Sequence, residues 1–320
     1  MDVVMHLTKC SDGSMVASAK IAKFISTTLN IPLIHTPEQI EQYNEDFELG
    51  GVDRFILVNS STGFADPGMR FAAAKFSYLA NQAIFAQNDY KMKPPSQCKS
   101  HNIKLFNKHN GKSSDFYGMT LWTTVPEIKT STHVEYINWN MLTYVRTFKT
   151  CEPFTRRKAN TLVYWGALRK GREERLKELL VGDFNTVIST APQSFEKFKK
   201  HLPDASYVPQ FKVLSEGLLD YKITLYTQDE ASDKLYCSLA NRFYEALGAG
   251  VAILIDSRCA DTFKRAGLEG YEKYLVDSVL DVELLIGDAE RIAYEQREKW
   301  DKNYGGLLRD RLLSLGGKTL

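Results

Sequence analysis

Twice along this chain, short apolar runs alternate with amphipathic helical stretches, and alternation of that kind builds a parallel α/β sheet. The first series offers VVMHL (3–7), IPLIH (31–35), FILVNSS (55–61) and QAIFAQ (82–87) as strands. Between them, Ser14 to Leu29 reads as a helix with Ala17, Ile21, Phe24 and Ile25 on one face. Thr36–Pro37 opens a second helix, and residues 68–80 form a third. The second series runs NTLVYWG, GREERLKELL, FNTVIS, QSFEKFKKH, YKITLY, NRFYEALGAG and VAILID, strand and helix in turn. VAILID is apolar up to its Asp, the pattern of a strand buried on both faces.

Between the two series the pattern blurs. Residues 90–115 carry YKMKPPSQ and many Lys, Asn, Ser and Gly, which predicts irregular structure around one short strand, IKLF. TRRKAN (155–160) reads as a basic linker, and from about Asp288 to Leu315 the chain reads as one or two helices rich in Glu, Arg and Leu. The expectation is an α/β protein of two facing Rossmann-like domains, 1–155 and 156–288, with helices over 289–320 packing back across both. In such sheets a ligand sits beyond the carboxyl ends of the strands, near the point where strand order reverses.

Composition removes several classes. No run approaches the eighteen or so apolar residues of a membrane span, so no membrane partner is expected. MDVVMHLTKC has no basic stretch followed by an apolar core, so no export signal is expected. Five scattered cysteines, at 10, 98, 151, 237 and 259, include no CxxC pair, which points to a reducing cytoplasm and away from a disulfide scaffold or structural zinc. The net charge of +2 does not announce a nucleic-acid binder, so any DNA surface must come from local clustering. A monomer is expected.

Three constellations could carry chemistry. In Tyr164-Trp165-Gly166-Ala167-Leu168-Arg169-Lys170-Gly171-Arg172 a strand ends, a glycine permits close backbone approach, and a helix begins beside arginines. Helix-start amides with guanidinium groups suit a diphosphate; a plain strand–turn–helix with solvated arginines explains the motif equally well. In Asn241 to Gly250, Arg242 and Glu245 are three apart and share a helix face, so one could reach phosphate while the other accepts from ribose hydroxyls. The competing reading is a surface ion pair, but the buried strand that follows places this helix within the sheet. Asp89, in QNDYKMKPPSQ, follows a strand's carboxyl end and is placed to act as a base; alone, a turn-forming Asp is the commoner case.

Other signals are weaker. Six histidines show no metal-ligand spacing and no DxD occurs, so a divalent metal stays open but without a motif. No Walker-type loop or GxSxG elbow is present. Lys91, Lys93, Lys99, Lys104, Lys108 and Lys112, interleaved with Phe106, could face nucleic acid or form a solvated loop.

At these points the sequence resembles the phage DNA β-glucosyltransferase family, in order along most of the chain. The resembling blocks are DRFILVNSST (53–62), NDYKMKPPSQ (88–97), LVYWGALRKGRE (162–173) and RFYEALGAGVAILID (242–256). An Arg-x-x-Glu helix before a small-residue turn and strand is also a recurrent donor-nucleotide arrangement in two-Rossmann glycosyltransferases. The resemblance implies a GT-B type enzyme that transfers a sugar, with inversion, from a UDP-sugar such as UDP-glucose to the hydroxymethyl group of 5-hydroxymethylcytosine in double-stranded DNA. It implies Asp89 as the base, and Arg169, Arg172, Arg242, Glu245 and Gly166 around the donor. It also implies the cytoplasm of an infected bacterium as the setting. Acceptor and base would belong to the first domain, the UDP-sugar to the second. The family's Arg-x-Gly-x-Arg is one residue shorter here, and its acidic N-terminal loop residue has no counterpart between Cys10 and Met15, so the sugar stays open. Asp229 falls roughly where another site aspartate sits. The alternatives are arabinosyl transfer to hydroxymethylcytosine, glucosyl transfer to hydroxymethyluracil, a small-molecule or cell-wall acceptor, or a non-catalytic nucleotide- or DNA-binding module.

Overall fold

The continuous apolar runs become strands because a parallel sheet covered on both faces buries every side chain, not every second one. The computed structural model describes residues 1–6, 17–36, 38–40, 42–43, 51–58, 76, 80–87, 120–124, 133–144, 154, 157–166, 168–169, 171–211, 214–228 and 239–316. By contacts the chain divides into two units, Met1–Trp139 with Gly306–Leu320, and Asn140–Gly305.

In the first unit, β1 (Asp2–His6), α1 (Ala17–Leu29), β2 (Leu33–Ile34), β3 (Arg54–Val58), β4 (Gln82–Gln87), β5 (Thr120–Thr123) and β6 (Val134–Tyr136) follow in chain order. The strands form a parallel sheet in the order β2-β1-β3-β4-β5-β6. All five residues of β3 are buried, and Phe76 packs its ring on Phe55. The last two strands, TLWT and VEY, were not expected from the sequence. Their runs are short, and β6 is only partly buried, so the apolar signal is weak.

The second unit holds β7 (Lys158–Trp165), α2 (Glu173–Leu180), β8 (Asn185–Thr190), α3 (Pro192–Lys199), β9 (Ser206–Pro209), α4 (Leu214–Leu218), β10 (Tyr221–Tyr226), α5 (Asn241–Gly248), β11 (Ala252–Asp256), α6 (Ala260–Arg265), β12 (Leu275–Val276), α7 (Val279–Ile286) and α8 (Ala289–Asn303). Its sheet is also parallel, in the order β12-β11-β10-β7-β8-β9. The chain builds outward from β7 to β8 and β9, then returns to β10 on β7's other side. Strand order therefore reverses between β7 and β10, and that junction is the switch point of a Rossmann sheet.

The stretch read as a linker is corrected here. Lys158, Ala159 and Asn160 are the first residues of β7, and Arg157 just before them is buried. Its guanidinium donates to the carbonyls of Tyr221, Ala249 and Gly250. A basic run looks solvated in sequence, but three main-chain acceptors converging on one fork hold it inside.

The tail divides between the units. α8 belongs to the second, and the last helix, α9 (Leu307–Gly316), packs against α1 in the first. Arg54 fixes it there, donating to the Gly316 carbonyl at 2.8 Å while pairing with Asp2 at 2.5 Å. Among the described residues no helix is long and apolar enough to cross a membrane.

Candidate functional site

The second sheet brings its chemistry to the switch point through three backbone features. β7 ends at Trp165, and Gly166 follows with φ +111°, a conformation that a residue bearing a Cβ adopts only under strain. The Gly166 N–H donates to the Ser189 carbonyl at 3.1 Å, which ties the turn to the end of β8. The chain then passes Arg169, which is exposed, and Gly171 at φ +88°, to reach Arg172 at the start of α2.

α5 is fixed by its buried face. Phe243 meets Tyr226, Tyr244, Phe263, Tyr271 and Trp300 edge-on, with ring centroids 5.3–6.5 Å apart. Such contacts contribute beyond burial alone, about 0.5–1.5 kcal/mol per pair. With Phe243, Tyr244, Ala246 and Leu247 turned inward, the intervening Arg242 and Glu245 lie on the half-buried side.

Arg242 and Glu245 do not pair with each other, so the simple surface ion pair is not what the helix forms. Glu245 accepts from the Trp165 indole N–H at 3.3 Å. Arg242 donates to the carbonyl of Thr227 at 2.8 Å and to that of Trp165 at 3.4 Å. Those carbonyls end β10 and β7, so one guanidinium spans the switch point. Its plane lies 5.1 Å over the Tyr164 ring. Among the described residues Arg242 has no carboxylate partner. Burial disfavours its charge, but the phenols of Tyr164 and Tyr226 and the Glu245 carboxylate outweigh that and hold its pKa above the ordinary value.

Arg172 is almost fully buried, with Nη1 3.5 Å from the Tyr164 hydroxyl. Burial would push the Tyr164 phenol up, but the guanidiniums of Arg242 and Arg172 reverse this and leave it below its usual pKa. Gly166, Arg172, Arg242 and Glu245 are thus gathered around the end of β7, with Arg169 beyond them at the surface. Sequence reasoning quoted Tyr164, Trp165 and the β10 strand but assigned none of them a role. Their signal was position alone, beside the strand-ending glycine and at the end of YKITLY. Asp89, Asp229 and the basic 91–112 segment lie outside the described residues.

Next to this cluster is a buried arginine of another kind. Arg175 in α2 donates from Nε to Asp256 Oδ1 at 2.9 Å, and from Nη1 to Glu178 and to the Asp277 carbonyl. Asp256 also accepts from the Thr227 hydroxyl and from Arg258. Every charge there is answered. At the corresponding end of β1 in the first sheet, His6 is buried; burial, with His35 adding to it, lowers its pKa to about 4, so its ring is neutral near pH 7. Among the described residues no three His, Cys, Asp or Glu side chains converge to hold a metal ion.

Two Rossmann-like units in one chain, each built on a parallel sheet, define the GT-B fold. Solved structures of this fold match over nearly the whole chain. One is the DNA-modifying β-glucosyltransferase studied with and without uridine diphosphoglucose (TM-score 0.67, 10% identity, 99% of both chains). Another is T4 phage β-glucosyltransferase with UDP and Mn²⁺ (TM-score 0.64, 11% identity, 99% of both chains). A third is Anabaena HepE with UDP-glucose (TM-score 0.53, 8% identity, 100% of this chain and 99% of that one). No protein-family model matches the chain, and no curated protein matches it in sequence.

Proposed function

We propose that this protein is an inverting glycosyltransferase that moves a sugar from a UDP-sugar to the hydroxymethyl group of 5-hydroxymethylcytosine in double-stranded DNA. The observation that carries the donor half is Arg242, a guanidinium held at the switch point by main-chain carbonyls and, among the described residues, in no ion pair with a carboxylate. A partly buried cation held in this way is suited to an anionic ligand, and a nucleoside diphosphate fits a Rossmann switch point. The acceptor half rests on the blocks around Asp89 and on similarity to DNA-modifying enzymes of the same fold.

In this reading the second unit takes the donor. Arg242, Arg172 and Arg169 gather the diphosphate charge, Gly166 lets the backbone approach it, and Glu245 accepts from ribose hydroxyls. The first unit takes the DNA, with the target nucleotide flipped out because its hydroxymethyl group is otherwise stacked inside the duplex. The Asp89 carboxylate removes the hydroxyl proton as that oxygen bonds to the anomeric carbon. The bond from this carbon to the β-phosphate oxygen breaks on the opposite face, so configuration inverts and the electron pair leaves with UDP. The arginines stabilise that growing charge more than they stabilise the ground state. No metal is assigned a role in this scheme.

The test is to incubate the protein with hydroxymethylated DNA and a panel of UDP-sugars, then weigh the digested nucleosides. One added hexose on hydroxymethylcytosine is expected. Transfer to hydroxymethyluracil, or of a pentose, redirects the assignment; sugar release from UDP without any modified nucleoside removes DNA as the acceptor. Asp89→Asn should slow single-turnover transfer by about 10²–10⁴-fold while UDP and DNA still bind. A normal rate in a normally folded variant places the base elsewhere, with Asp229 the next residue to replace.

A further inference from the structure

Beyond the carboxyl end of β10 the chain is pinned residue by residue. Tyr226 closes the strand, and burial raises its phenol well above the usual pKa, so it stays a neutral hydroxyl. Thr227 gives its carbonyl to Arg242 at 2.8 Å and its hydroxyl to Asp256 at 2.7 Å. Gln228 comes next and is only 7% exposed. Its amide nitrogen donates to the Tyr226 hydroxyl at 2.5 Å, and the same phenol accepts from the Ala240 N–H, just before α5, at 2.8 Å. One end of the Gln228 amide is thereby tied to the strand and the helix that meet at Arg242. Its other end, Oε1, is shielded from water and has no hydrogen-bond partner among the described residues.

A shielded acceptor left unbonded is disfavoured, and native proteins keep few of them without a reason. The donor that would answer this one follows from its place. Gln228 stands one residue past the carbonyl that anchors Arg242, at the carboxyl end of the sheet, where a ligand lies. A diphosphate offers no proton near pH 7, and Glu245 is assigned to the ribose. The sugar hangs from the β-phosphate that Arg242 gathers, and each of its hydroxyls is a donor. The terminal torsion of a glutamine is broad, which lets the oxygen turn toward an incoming hydroxyl.

We propose that Gln228 reads the donor sugar, its Oε1 accepting a hydrogen bond from a sugar hydroxyl while Tyr226 holds the amide for that contact. The proposal rests on the UDP-sugar reading of the same site. It assigns no chemical step to Gln228. A residue in this role responds to the sugar, which the arginines alone do not, because UDP and a UDP-sugar both carry the diphosphate that the arginines bind.

Calorimetric titration of UDP, UDP-glucose and UDP-xylose into the full chain tests it, using wild type, Gln228→Leu and Gln228→Met, each with a thermal melt. Both variants lack the acceptor, and Met keeps the unbranched length of the side chain should Leu not fold. Affinity for the better-bound UDP-sugar should fall by about 5-fold to 10-fold, as for one lost hydrogen bond, while UDP binds all three proteins alike. A folded variant with wild-type UDP-sugar affinity overturns the proposal and leaves only water as the partner of Oε1. An equal loss for UDP and UDP-sugar also overturns it, because the contact then lies on the nucleotide. So does wild type that binds UDP but neither UDP-sugar. Wild type that binds no UDP overturns the donor reading itself, so the two failures are distinct.

Monodeoxy analogues of the bound sugar name the hydroxyl. One of them should weaken binding to wild type and leave binding to the Gln228 variant unchanged. If every deoxy sugar weakens both proteins by the same factor, the hydroxyls are read elsewhere and the proposal falls.

Discussion

Arg175 and Arg242 are both guanidiniums near the carboxyl end of the second sheet, and the fold treats them oppositely. Arg175 is buried against Asp256, Glu178 and the carbonyls of Val276 and Asp277, and its donors are spent within the protein. Arg242 is steadied by two neutral carbonyls and an aromatic face, and among the described residues it makes no ion pair, Glu245 acting on it only through its field. Two arginines of one unit can thus be told apart by what accepts from them. A buried cation bonded to a carboxylate belongs to the structure; one hydrogen-bonded only to neutral groups keeps donors for a ligand.

The largest expected effect would break the structural half of this contrast. Asp256→Ala leaves the Arg175 cation buried without its partner and should cost about 3–5 kcal/mol of stability, read from denaturant melts. A variant as stable as wild type would mean that Glu178 and Asp277, with the carbonyls beside them, satisfy Arg175 without Asp256. Arg242→Ala should do the reverse. UDP affinity should drop by about 1.5–3 kcal/mol in calorimetry, with the melting temperature held, because no carboxylate is orphaned. A large loss of stability with unchanged UDP binding would move Arg242 into the structural class.

Acid sharpens the same contrast. Burial would raise the Asp256 carboxyl, but Arg258, the Thr227 hydroxyl and Arg175 together hold its pKa below the ordinary value. Its contribution to stability is therefore complete above the unfolded pKa of about 3.9. It is lost as pH falls through the lower folded value. Melts of wild type and Asp256→Asn between pH 6 and pH 2 should converge at the acid end, and parallel curves would show that the pair is not titrating.

Gly166→Ala is expected to cost about 1–3 kcal/mol through its positive φ. It should cost little through crowding, since a Cβ there would stand 3.7 Å from the Arg242 side chain, an ordinary contact. Arg291→Ala is the smallest case. Arg291 pairs with Asp288 and Glu295 on the surface of α8, where water screens the charges, so no change in melting temperature is expected. If that variant melts early, pairing without burial carries more than the contrast allows.

Much of the fold was legible in the residues. DRFILV and VAILID announce strands because nothing in them tolerates water, and RFYEALGAG announces a helix whose apolar face leaves Arg242 and Glu245 on the other side. TLWT and VEY were missed because a run of three or four residues is too short for apolar patterning to register, and VEY, at the sheet's edge, is only partly buried. TRRKAN was misread because the acceptors that bury Arg157 come from residues more than sixty positions away. At the candidate site the residue types were visible, but the contacts that Arg242 and Arg172 make with Tyr164 were not. A tyrosine near the end of a strand looks like core until two arginines are seen to meet on it.

The sequence by itself determined that this chain makes two α/β units, and that an Arg-x-x-Glu helix precedes a buried strand near the end of the second. Local periodicity is enough for that, because burial of an apolar face is decided within a few residues of chain. Only the tertiary structure decided which arginine is neutralised and which is left charged. Asp256 lies 81 residues from Arg175, and the carbonyls that hold Arg242 come from two strands that become neighbours only where the sheet reverses. Electrostatic pairing depends on distance in space and on the water excluded from between the groups, and neither is written in the order of the residues.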